Sequence, residues 1–123
     1  MTFAGIGALF ALLGVLMGAF GAHVIDPHLS TTMQNVYQIA VEYQMYHALA
    51  LIGLGILMRL GVSPGLLKVS GWLFTIGVVF FSGSLYGLCM TNSRIYGPIT
   101  PLGGMLLIVG WVLMAIALFR RSR

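Results

Sequence analysis

Polar and apolar residues segregate along this chain, with four long apolar runs separated by short polar links. The runs cover residues 3–22, 37–60, 69–90 and 101–119. A helix needs about 20 residues to cross the hydrocarbon of a bilayer, and each run has about that length. The pattern predicts an all-α integral membrane protein. Links this short return each helix beside the previous one, so the four transmembrane helices should form an antiparallel bundle. No link is long enough to fold alone, which makes residues 1–123 a single domain.

Small residues predict where the helices meet, because lipid is as apolar as leucine and association depends on close backbone approach. In the first run Ala4, Gly7, Ala11, Gly14, Gly18 and Gly21 recur at steps of three and four, which keeps them on one face at the coiled-coil period. Gly14 and Gly18 also form a GxxxG pair. That face needs protein against it, either a neighbouring helix or a second copy of the chain. The third run repeats the period with Thr75, Val79, Ser82, Tyr86 and Cys89. Gly83 offers a further point of close contact, as do Gly103 and Gly104 in the fourth run. Pro101 falls in that run's first turn, where its missing N–H costs little.

The segment "VEYQMYHALA", residues 41–50, interrupts the apolar pattern. Counting about 1.5 Å per residue from Arg59 puts His47 roughly 18 Å and Glu42 roughly 25 Å into the membrane. Counted from Val69, Ser82 lies roughly 20 Å and Tyr86 roughly 25 Å in. Ser84, Gln44 and Thr100 fall in the same layer. Polar groups of all the helices therefore converge on one slab, leaving the other half of the membrane almost purely apolar. At 100° per residue Tyr37, Gln44 and His47 share one side of the second helix, while Gln34, Gln38 and Glu42 form another stripe. Glu42 and His47, roughly 140° apart, should not touch. Gln44 reads as interhelical glue worth about 0.6 kcal/mol, and the serines as packing residues able to bond the preceding turn. Trp111, near mid-span, must pack against protein or lipid.

Composition agrees with this reading: 59% of the residues are hydrophobic and 7% charged, against about 25% charged in soluble domains. The net charge of +4 comes from six scattered basic residues, which form no stripe for nucleic acid. Arg59, Lys68, Arg120, Arg121 and Arg123 fall on the side shared by the termini and the middle link, and only Arg94 on the other. The positive-inside rule then places both termini in the cytoplasm. The first run lacks a basic n-region and exceeds a signal's 7–15 apolar residues, so it is expected to stay as a helix.

Candidate chemistry is sparse. An acid inside a span is a functional hypothesis in its own right, which makes Glu42 or His47 candidate proton carriers of a small transporter or channel. Ser82 and His47 share a depth, but nucleophilic catalysis also needs an oriented partner for the base, and none stands out. His23 and His28 flank Asp26 in "GAHVIDPHL"; Pro27 and the short link read as a capped turn rather than a metal site. The eight methionines are filler, and the lone Cys89 can form no intrachain disulfide. No metal, cofactor or enzymatic activity is expected. The leading expectation is a non-enzymatic multi-pass protein of the bacterial cytoplasmic (inner) membrane. Its polar layer would fix helix packing and bind a lipid headgroup or partner helix, the partners being membrane lipids and a second copy or another membrane protein.

"GAFGAHV", "VEYQMYHALALIGLGIL", "FFSGSLYGL" and "ITPLGGMLLIVGW" together resemble the YgdD/YwdK-like small bacterial inner-membrane proteins, domain-of-unknown-function family 423. One motif falls in each span, in order. The resemblance implies about four helices in the cytoplasmic membrane and carries over no substrate, cofactor or catalytic residue. Glu42, Gln44, His47, Ser82, Ser84, Tyr86, Thr100, Pro101, Gly103 and Gly104 match the family pattern.

Overall fold

The computed structural model describes residues 1–21, 23 and 26–121, the side chains of Asp26 and Arg121 excepted. Ala22, at the end of the first predicted span, and the last two residues of the basic tail lie outside that set. Among the described residues, four helices are each long and apolar enough to cross a membrane. They are α1 (Thr2–Phe20), α2 (Thr31–Arg59), α3 (Pro64–Thr91) and α4 (Ile99–Arg121), with short 3-10 turns at Asp26–His28 and Arg94–Tyr96.

Two helices start earlier than the apolar runs suggest, each because of a start signal outside the apolar pattern. Ser30 caps α2, its hydroxyl accepting from the Met33 N–H at 3.2 Å, so the helix continues through Thr31, Thr32, Gln34 and Asn35. Pro64 opens α3 at the first helical position, where its fixed φ suits a helix start. With 29 residues, α2 is about 43 Å long, longer than the hydrocarbon is thick. Its polar first turns are the surplus.

The principal contacts join α1 to α2, α2 to α3 and α3 to α4. Residue numbers rise on one helix as they fall on the other. Tyr37 reaches Met17 and Gln44 reaches Phe10; Cys89 reaches Met33 and Ser82 reaches Ala40; Ser84 reaches Thr100 and Ser70 reaches Gly110. Thus α2 and α3 form the central pair. On one flank α1 also touches α3, through the Phe3 ring edge-on to Trp72. On the other flank α4 touches α2 through Trp111.

The glycines show which faces meet. A Cβ on Gly7 would stand 2.5 Å from the Ala48 carbonyl oxygen, and one on Gly14 would strike the Met45 sulfur. On Gly21 it would overlap the Tyr37 ring, and on Gly103 the Phe81 backbone nitrogen. Gly18 and Gly104 are looser, at ordinary contact distance from Val41 and Phe81. The α1 stripe therefore faces α2. Gly83 does not serve the packing role expected of it, because nothing lies within 4 Å of its Cβ direction. Val79, expected on the packing stripe of α3, is 54% exposed. Both lie on the outward face, while Gly71 and Gly77 provide the close approaches of α3, to Phe3 and Leu107.

An apolar core built on Phe3, Leu51, Leu54, Leu67, Phe74 and Ala117 fills the end that carries Arg59 and Lys68. One buried polar group interrupts it. The Ser70 hydroxyl donates to the Gly110 carbonyl at 2.7 Å, so that half is not as purely apolar as the sequence suggests.

Candidate functional site

The polar residues of the spans do not gather into one cluster. The directions in which successive helix positions point divide them into three hydrogen-bonded groups and one separate pair.

The first group joins three helices. From α2, Gln44 Nε2 donates to the Phe10 carbonyl of α1 at 2.9 Å, and its Oε1 accepts from the Tyr86 hydroxyl of α3 at 2.6 Å. Two turns earlier on α2, the Tyr37 hydroxyl donates to the Met17 carbonyl at 2.6 Å. The Tyr37 and Tyr86 rings meet edge to face at 5.4 Å. Gln44 is only 5% exposed, so an unpaired amide there would be costly.

The second group centres on His47, 4% exposed. Its Nδ1 lies 2.7 Å from the Tyr43 carbonyl and its Nε2 lies 2.9 Å from the Trp111 indole nitrogen. A carbonyl can only accept and an indole N–H can only donate. The two partners therefore fix the neutral tautomer, with the proton on Nδ1. Phe74 closes the group, 5.4 Å from the imidazole and 4.8 Å from the indole. Trp111→Phe keeps a ring in place but removes the donor to Nε2. Stability in mild detergent should fall by about 1–2 kcal/mol, within the range for interhelical bonds and orphaned acceptors, as read from the midpoint of unfolding by sodium dodecyl sulfate.

The third group ties α3 to its neighbours. Ser82 donates to the Ala40 carbonyl at 2.8 Å. Ser84 lies 2.5 Å from the Thr100 hydroxyl and 2.9 Å from the Phe81 carbonyl, and Thr100 lies 3.1 Å from the Tyr96 carbonyl. The two hydroxyls hold two protons for three contacts, so one proton joins Ser84 to Thr100 and the other goes to the carbonyl of Phe81 or of Tyr96.

The pair is Gln38 and Glu42, with Gln38 Nε2 donating to Glu42 Oε1 at 3.1 Å. Glu42, half-buried, lies on the helix face that carries Ile39, Tyr46 and Leu49, all exposed, and bonds to none of the other helices' described side chains in these groups. Ser82 and His47, the candidate nucleophile and base, are each bonded elsewhere. His23 and His28 are exposed, the side chain of Asp26 lies outside the described residues, and no group of three metal-ligating side chains occurs among those described.

Sequence reasoning missed the place of Trp111 in these groups and, outside them, the buried Ser70–Gly110 bond. Ser70 was hidden because a lone serine in an apolar helix gives no periodic signal. Trp111 was placed correctly at mid-span without its partner, because nothing in the sequence pairs positions 64 apart.

A family model described as "Protein of unknown function (DUF423)" matches residues 17–104. The UPF0382 membrane protein of Staphylococcus haemolyticus is 47% identical over 115 residues, 94% of this chain and 93% of its own. That of a bovine Staphylococcus aureus strain is 44% identical over 115 residues, covering 94% and 93%. The UPF0382 membrane protein YwdK of Bacillus subtilis is 42% identical over 112 residues, 91% of each chain. No solved structure matches.

Proposed function

Since this chain belongs to the DUF423 family, whose matched relatives are named membrane proteins, we propose that it is a non-enzymatic multi-pass protein of the bacterial cytoplasmic membrane. Its four helices form an antiparallel bundle with both termini in the cytoplasm. The polar groups of the spans specify how the helices dock. The observation that carries this reading is Gln44, whose amide is used on one side by α1 and on the other by α3. A group satisfied at both ends by its own protein positions helices and has little left for a solute.

The same logic weighs against a proton-coupled transporter. Glu42 is half-buried and bonded to the exposed Gln38, and His47 has both ring nitrogens engaged. A second proton at Nε2 would have to displace the Trp111 N–H. Contact with a lipid headgroup or a partner helix falls instead to the Gln38–Glu42 pair, the polar group on the outward face of α2.

In liposomes carrying an imposed pH gradient and an internal pH dye, wild type and Glu42→Gln should both leak no faster than protein-free vesicles. Flux in wild type that Glu42→Gln abolishes would replace this reading with transport. In intact cells, an impermeant maleimide should label Ser93→Cys directly and Gly65→Cys only after permeabilisation. The reverse pattern would invert the topology.

A further inference from the structure

At the end opposite the Gln38–Glu42 pair, the first turn of α1, the last turns of α2 and the start of α3 leave a cleft of about 440 Å³. That volume is in the range of small-ligand sites, about 300–1,000 Å³. Its floor is apolar, with Phe3, Gly55 and Met58, and its rim carries Arg59, Lys68 and Trp72. Both cations are exposed. The chain has two acids, and neither can neutralise them. Glu42 is 17 positions back along α2, roughly 25 Å away, and Asp26 lies in the link at the other end of the bundle. Two like charges therefore share one opening with no acidic side chain of this chain near enough to pair with them.

Trp72 gives the cleft its depth in the membrane. It is 46% exposed and held edge-on to Phe3 at 5.3 Å, and an indole half out of protein favours the level where acyl chains meet headgroups. A soluble anion would use the charges and leave the floor of Phe3 and Met58 uncovered. An anionic phospholipid would use both, with its phosphate between Arg59 and Lys68 and the top of one acyl chain over the floor. Basic pockets between membrane helices bind headgroups by this division of charge and apolar surface. We infer that this cleft is a binding site for one anionic phospholipid of the leaflet that meets the Arg59–Lys68 end.

The test is native mass spectrometry of the full chain in mild detergent, titrated in parallel with palmitoyl-oleoyl phosphatidylglycerol and phosphatidylcholine, with thermal unfolding of the same samples. Wild type should retain one phosphatidylglycerol in preference to phosphatidylcholine. The double substitution Arg59→Gln with Lys68→Gln should weaken that binding about tenfold or more while leaving the lipid-free unfolding temperature in place. Arg120→Gln removes a charge from a helix end that does not line this cleft, and should change binding by less than about twofold. Equal retention of both lipids, an undiminished affinity in the double variant, or an equal loss in Arg120→Gln would each overturn the inference. So would inorganic phosphate at millimolar concentration giving the whole thermal shift without lipid, which would make the site one for a soluble anion. A double variant that unfolds without lipid would be replaced by Arg59→Lys with Lys68→Arg, for which retained binding supports the site and lost binding overturns it.

Discussion

Gly103→Leu should prevent α4 from docking on α3. The Cβ alone would overlap the Phe81 nitrogen and stand 2.9 Å from the Phe80 carbonyl carbon. Those are backbone atoms inside a helix, so no rotamer change relieves the clash and the helices must separate. Overpacking a core typically costs about 1–3 kcal/mol and occasionally more; here we expect about 3 kcal/mol or above. Against a total stability of about 5–15 kcal/mol, the loss should appear as a broadened, aggregating peak in size-exclusion chromatography and a lowered unfolding midpoint. Gly83→Leu is the matched control on α3. With open space at that position, it should change stability by less than about 0.5 kcal/mol. If the two variants behave alike, the α3–α4 face is misassigned.

The second large effect concerns Gln44. Gln44→Leu keeps much of the volume but deletes the bond to the Phe10 carbonyl and strands the Tyr86 hydroxyl. An orphaned buried polar group costs about 1–3 kcal/mol, and an interhelical bond in a membrane adds about 0.6 kcal/mol. The variant should therefore lose about 2–3 kcal/mol. Tyr86→Phe in the same background removes the stranded hydroxyl, and since removing both partners can be nearly neutral, it should restore part of the loss. A double variant no more stable than Gln44→Leu would mean that the Tyr86 hydroxyl finds another partner, and that Gln44 does not bridge α2 and α3.

The architecture could be read from the sequence because it rests on length and period. Four runs gave four helices, and the 3–4 spacing of Gly7, Gly14 and Gly21 marked the face that meets α2. Starts were misplaced where the signal was a cap, as at Ser30, or a proline, as at Pro64, since neither changes hydropathy. The layer of polar residues could be read as a depth but not as a set of partners. Depth follows from rise per residue, whereas partnership depends on how each helix is rotated and on which neighbour it faces. Thus Gln44 and His47, three residues apart, serve different helices, and Glu42, two residues from Gln44, bonds to none. Gly83 failed as a packing site for the same reason: its spacing is that of a close contact, and its direction is outward.

In most of the interhelical bonds described above, one end is a side chain and the other a main-chain carbonyl. Tyr37, Gln44, Ser82 and Ser70 donate to the oxygens of Met17, Phe10, Ala40 and Gly110. A mutation can therefore erase such a bond from one end only. The donor has to remain a residue with a proton to give, while the acceptor's side chain takes no part in the bond and is limited by packing alone, tightly at Ala40 and Gly110 and loosely at Phe10 and Met17. Substitutions should accordingly divide by role: Phe10 and Met17 should tolerate other apolar residues with little effect on docking, whereas Gln44 and Tyr37 should tolerate almost none. The information that aligns these helices is thus held in a handful of donor positions, and the surfaces they grip can drift to suit the lipid.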